Sequence, residues 1–304
     1  MLDLRIIFQN ARKAGIAIPA FNIPYLPMLE AVVQAVIDQD SFAMIETARL
    51  EWLKFEAGGP EVIAREFFRC QDSGHVRLHL DHIPVIDEGG QEVDYLPILQ
   101  EAIDLGYHSV MIDGSRLPLA DNIRATRQAV ALAHAAGIPC EAELGTVFGH
   151  EAGPLPPYEE LFASGLGFTK VDEARHFVAE TECDWLSVAI GSVHGAISQD
   201  YKDQKKIAAH LNLEHLEQLS EAIAIPLVLH GGSGIPREQV LASFRRGITK
   251  INIATEIRQA YESSLGSTGK ISAAQQAVYQ RTTWLIGDYF GLQNDQTLLM
   301  GEGS

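Results

Sequence analysis

The chain has 304 residues, 46% of them hydrophobic, 21% charged and 3 of them cysteine, which excludes disordered, collagen-like and disulfide-stapled classes. With 23 Lys and Arg against 40 Asp and Glu, the formal net charge is −17. That far field repels nucleic acid and anionic membranes, so neither is an expected partner, and an anionic substrate must be held by local cations, a metal or backbone N–H groups.

The N-terminal stretch MLDLRIIFQNARKAG contains Asp3 and no apolar core ending in a cleavage site. No run approaches ~18 apolar residues, so no membrane span is expected. Cys70, Cys140 and Cys183 show no C-x-x-C spacing, which suits a reducing cytoplasm. Beyond this stretch, β-rich runs recur at 17–22, 42–47, 76–82, 109–115, 139–145, 185–192, 226–232 and 250–256. Amphipathic stretches such as PMLEAVVQAVIDQ and ADNIRATRQAVALAHAA lie between them, each with apolar residues at three-to-four spacing. Repeated βα units predict an α/β fold, a (β/α)8 TIM barrel, with a doubly wound open sheet as the alternative. A single domain is expected over 1–304, with 264–304 as a C-terminal helical extension: helix-like at 272–290, then weakly patterned. The Gly- and Pro-rich segment 145–169 after strand five is expected to be a long active-site loop.

Most of these strands begin apolar and end polar, at Asn22, Glu46, Asp81 with His82, Asp113, Glu143, His230 and Asn252 to Glu256, with His194 just past its strand. A barrel gathers all such ends on one face, where its active site is built. Among 11 histidines, His82, His194 and His230 each follow a strand end and together suit a divalent metal with an open coordination position. Their separations match no local metal motif, so ordinary hydrogen-bonded histidines remain the alternative. Strand alternation would place Asp81 and His82 on opposite faces, unless the strand ends there, as Pro84 suggests. Asp81 could then move a substrate proton, or merely orient a histidine. HGGSGIP at 230–236 and NIATE at 252–256 place backbone N–H groups where barrels often bind phosphate, although GGSG alone is more often a flexible turn.

AFNI, HLDH, MIDGS, EAELG, VAIGSVHG, LVLHGGSGIP and KINIATE, in that order, make residues 15–262 resemble the metal-dependent class II fructose-bisphosphate and tagatose-bisphosphate aldolases. The resemblance implies retro-aldol cleavage of a ketose 1-phosphate or 1,6-bisphosphate to dihydroxyacetone phosphate and an aldehyde. It implies a catalytic Zn2+ or other divalent metal on His82, His194 and His230, with a monovalent cation as a second cofactor considered. Glu143 and Asp113 match positions near an alternative metal location. By the same resemblance Asp81 handles the proton of the C4 hydroxyl, and Glu151, in the loop after EAELG, is the candidate base at the enediolate carbon. Gly195, Gly231, Gly232 and Ser233 match the C1-phosphate cradle, joined by Asn252, Ala254 and Thr255, while Asn22 is taken as substrate-binding. A homodimer or homotetramer in the cytoplasm is expected.

Some places depart from the family pattern. Its Q-x-S segment reads Glu46, Thr47, Ala48 and Arg49, its T-D-P reads Thr169, Lys170 and Val171, its lysine after HG is displaced to Lys202, and its D-P-R element after Glu262 is missing. Arg49 or Lys170 is therefore expected to recognise the substrate's distal end, and Lys202 is taken as a phosphate contact. The alternatives are a noncatalytic sugar-phosphate-binding barrel and an aldolase for a ketose 1-phosphate with another distal anion.

Overall fold

The computed structural model describes residues 2–70, 74–148, 156–193, 209–232 and 234–301. Eight parallel strands close into a barrel in sequence order: β1 (Ile18–Asn22), β2 (Ala43–Ala48), β3 (Val76–Pro84), β4 (Ser109–Asp113), β5 (Cys140–Leu144), β6 (Trp185–Val188), β7 (Leu227–Leu229) and β8 (Ile248–Ile253). Closure excludes the open sheet. These strands are buried almost throughout, as parallel strands covered by helices must be. The main apolar core lies between the sheet and its helices, where Phe21, Ile45, Leu78, Ile112, Leu186 and Leu229 are all fully buried.

The bottom of the barrel is closed by both ends of the chain. Helix Leu4–Ala14 inserts Leu4, Ile7, Phe8 and Ala11 against Met44, Trp185 and Val228, and Phe8 stacks on Trp185 with ring centroids 3.9 Å apart. Leu299 and Met300 of the short helix Gln296–Met300 join that cluster, and the Asp295 carboxylate accepts the N–H of Phe42 at 3.0 Å. The weakly patterned tail is thus a packed element. Sequence reasoning passes over it because five helical residues carry too little periodicity.

Several boundaries differ from expectation. β8 begins at Ile248 and ends at Ile253, and Thr255 opens the helix Thr255–Thr268 instead of extending the strand. Segment 145–169 is not all loop, since it contains the helix Tyr158–Ser164; its residues 149–155 lie outside those described. Strand β3 continues to Pro84 instead of ending at His82. The chain reconciles Asp81 with His82 by a bulge: the register against β4 shifts between Leu80 and Ile83, and His82 takes φ +41. A bulge re-aims a side chain, and here it turns both residues toward the barrel mouth. No helix among the described residues is long and apolar enough to cross a membrane.

Candidate active site

A cavity of about 560 Å³ opens at the C-terminal ends of the strands, with Asn22, Asp81, His82, Asp113, Glu143 and Asn252 all in its wall. At its floor Asp81 is 1% exposed and clamped by two amides: Asn22 Nδ2 donates to Oδ2 at 2.9 Å and Asn252 Nδ2 to Oδ1 at 3.0 Å. Burial opposes its charge, yet His82, Lys250 and His230 outweigh burial and hold the Asp81 carboxyl at about 2. Asp81 is therefore an ionised, immobilised acceptor facing the cavity.

His82 and His230 are 148 residues apart in sequence, and their facing nitrogens, His82 Nε2 and His230 Nδ1, lie 2.7 Å apart. On its other side His82 Nδ1 is 3.4 Å from Asp113 Oδ2 and 3.7 Å from Glu143 Oε2. Burial disfavours charge on His82, but the carboxylates of Asp81, Asp113 and Glu143 more than offset it and hold its imidazole well above the usual range. Burial and the neighbouring Asp113 push the Glu143 carboxyl well up, and its Oε2 is buried without a hydrogen-bond partner. Ligand atoms of Asp81, His82 and His230, and separately of His82, Asp113 and Glu143, lie within 4.8 Å of one another. Convergent imidazoles, carboxylates on every side and an orphaned carboxylate oxygen make a donor set that fits a divalent cation.

Beneath these residues lies a charged core of which only Glu46 is among the polar strand ends. Glu141 Oε1 accepts from His230 Nε2 at 2.9 Å, while its Oε2 accepts from Trp185 Nε1 at 2.7 Å and from Lys250 Nζ at 2.9 Å. Lys250 Nζ is also 2.7 Å from Glu46 Oε1, and all three charged side chains are fully buried. Burial opposes each charge; nevertheless Lys250 keeps Glu141 below the usual carboxylate range, and Glu141 with Glu46 keeps Lys250 protonated. For Glu46 burial prevails and its carboxyl is raised. One ammonium thus balances one carboxylate fully. Because a carboxylate only accepts, Glu141 places the proton of His230 on Nε2 and leaves the Nδ1 lone pair facing His82 Nε2. We expect Glu141→Gln to weaken divalent-metal binding by about 10- to 100-fold. Unchanged zinc affinity by calorimetric titration would show that His230 does not depend on Glu141.

A signal for this layer exists in the sequence. Glu141 precedes Glu143 by two, Lys250 precedes Asn252 by two, and His79 precedes Asp81 by two, so strand alternation turns each pair to the same interior face. His79 completes the layer, with Nδ1 2.7 Å from Ser109 Oγ; burial and Lys250 lower its imidazole to about 3.

Gly231 and Gly232, after β7, and Ala254 and Thr255, after β8, line the same cavity. Gly231 adopts φ +67, which favours glycine, and a Cβ on Gly232 would sit 3.0 Å from Ile251 Cδ1, a tight contact that the isoleucine would have to yield to. Glu151, His194, Gly195, Lys202 and Ser233 lie outside the described residues. Arg49 does not line the cavity: it starts the helix Arg49–Lys54 and turns toward Asp87, 3.8 Å from its Oδ2. Lys170 caps a helix start elsewhere, 75% exposed and 2.8 Å from Glu173. Among the described residues the arginines in the cavity wall are Arg116, Arg258 and Arg281, at positions with no motif to mark them.

Residues 2–289 match the family model for class II fructose-bisphosphate aldolase. The chain belongs to that family. Its aldolases and lyase chemistry extend to curated relatives: it is 32% identical over 277 residues to the fructose-bisphosphate aldolase of Streptococcus pneumoniae serotype 4, covering 90% of this chain and 85% of that one. A 6-phospho-5-dehydro-2-deoxy-D-gluconate aldolase of Halalkalibacterium halodurans is 33% identical over 264 residues, covering 86% and 82%. In structure the chain resembles the YdjI aldolase of Escherichia coli K12, with a TM-score of 0.76, 28% identity and coverage of 96% and 98%. Family membership makes this protein a class II aldolase, and the class depends on a divalent metal.

Proposed function

We propose that this aldolase cleaves a ketose 1-phosphate, with or without a second anionic group at the far end, between C3 and C4 to give dihydroxyacetone phosphate and an aldehyde. The observation that carries this reading is the clamped Asp81 carboxylate directly beside the facing nitrogens of His82 and His230. Asp81 takes the C4 hydroxyl proton as the C3–C4 bond breaks and returns it in condensation. His82, His230 and, in the loop outside the described residues, His194 hold the divalent metal, with Asp113 and Glu143 as an alternative location beside His82. Bound there, the metal polarises the ketose carbonyl and stabilises the negative charge that develops as the bond breaks. Gly231, Gly232, Ala254 and Thr255, together with Gly195 and Ser233, receive the C1 phosphate on backbone N–H groups, which answers the repulsion of a chain at −17. Asn22 and Asn252 hold Asp81, and Glu151 remains the candidate base at C3.

Relatives of nearly equal identity carry different substrate names, so overall similarity does not select the acceptor aldehyde. Arg116, Arg258 and Arg281 supply positive charge for an anionic far end in place of Arg49 and Lys170. Arg258 is already paired with Glu262 at 2.9 Å, and Arg281 is paired with Glu256. The test is a panel of ketose 1-phosphates, with and without a distal phosphate or carboxylate, assayed for release of dihydroxyacetone phosphate by zinc-loaded protein. Release from at least one member is expected; binding without release from any member would favour the noncatalytic alternative.

A further inference from the structure

Glu51 belongs to the cavity wall, yet it has no part in the roles assigned above. It lies on the helix Arg49–Lys54, two residues beyond the segment 46–49 that departs from the Q-x-S pattern. Its Oε2 accepts the N–H of Ala48 at 2.8 Å, which fixes the carboxyl at the top of β2, and the residue is only 6% exposed. Asn22 hydrogen-bonds to Glu51 as well as to Asp81. Glu51 and Asp81 therefore flank one amide, and Glu51 stands one side chain away from the carboxylate that handles the C4 hydroxyl. Its chain neighbours in the wall, Ala48, Leu50 and Phe55, carry no polar side-chain atom. A buried carboxyl in such a wall is a hydrogen-bonding point for whatever occupies the cavity beside Asn22 and Asp81.

We propose that Glu51 is a specificity-determining residue that hydrogen-bonds the C5 hydroxyl of the ketose, which is the hydroxyl on the carbon next to the aldehyde carbon of the acceptor. This rests on the aldolase reading above, with Asp81 at the C4 oxygen. Burial pushes the Glu51 carboxyl up to about 8, against the Ala48 N–H, while the charge of Asp81 adds to the rise. A neutral carboxyl donates as well as accepts, so it can hold a hydroxyl without setting a second negative charge beside Asp81.

The test runs the reaction toward condensation, with dihydroxyacetone phosphate and two acceptors that differ only in the hydroxyl at issue, lactaldehyde and propanal. Zinc-loaded wild-type protein, Glu51→Ala and Glu51→Gln are compared. Glu51→Ala is expected to lower kcat/KM for lactaldehyde by about 10- to 100-fold, the range of one lost hydrogen bond in a desolvated site, and to leave propanal unchanged. Glu51→Gln keeps an acceptor for the Ala48 N–H but offers the hydroxyl only an N–H donor, and is expected to fall between the two. Solvent exchange of the dihydroxyacetone phosphate C–H proton needs no aldehyde, so it is expected to be unaltered in both variants, which shows that they are folded and active up to the acceptor step. Equal losses for lactaldehyde and propanal, or no loss for either, overturn the proposal and assign Glu51 to the helix cap. Failure of the wild-type protein to exchange the proton or condense either aldehyde overturns the aldolase reading of the site itself.

Discussion

Asp81→Ala is expected to lower turnover by roughly 10²- to 10⁴-fold, the range that a positioned general acid–base supplies, while the protein still binds its divalent metal. The size of the effect follows from the clamp. Two amides hold both carboxylate oxygens, at 2.9 and 3.0 Å, so the group spends no motion finding the hydroxyl whose proton it takes. Water entering the space left by alanine has neither that orientation nor that basicity. Because nearby cations hold its carboxyl at about 2, Asp81 is ionised across the neutral range, and the acid limb of a pH–rate profile is not expected to arise from it. Asp81→Asn separates charge from shape: it keeps the volume but not the base, and is expected to be as slow as alanine. Near-native turnover in either variant, with metal content matched, would reduce Asp81 to a partner that orients its neighbours.

Removal of the metal is expected to abolish cleavage, and added zinc to restore it. Without a divalent cation no Lewis acid polarises the ketose carbonyl, and the charge of protonated His82 is already matched by the carboxylates of Asp81 and Asp113. In the metal-free site His82 is protonated and supplies the compensating positive charge, so the cation has to displace that proton. Binding is therefore expected to release protons, which calorimetry in buffers of different ionisation enthalpy detects. His82→Ala is expected to lose both binding and turnover while keeping the far-ultraviolet circular dichroism of the barrel, because its side chain lies at the barrel mouth and packs into no apolar core. Full activity in protein shown to be metal-free would contradict the whole assignment.

Much of this architecture is written in the sequence because a covered parallel strand has to be an apolar run, and eight such runs separated by amphipathic stretches leave few ways to fold. The polar ends of those runs are equally legible: Asn22, Asp81, His82, Asp113, Glu143, His230 and Asn252 are strand-end residues, and a barrel sends strand ends to one mouth. The sequence therefore determined the fold class, the face that carries the site and the family chemistry. Which residues meet which was decided by tertiary structure. His82 and His230, 148 positions apart, approach to 2.7 Å only because the barrel closes, and HLDH carries no sign that His82 takes φ +41 in a bulge. Arg49 reads as a free cation beside the site, but it turns away to Asp87, while Arg116, Arg258 and Arg281 reach the cavity from three separate elements. Lys250, Glu141 and Glu46 show the same limit from the inside: alternation turns Lys250 and Glu141 inward, but only the interior of a closed barrel, where water is excluded and charges must find one another, pairs Lys250 with both carboxylates beneath His82 and His230.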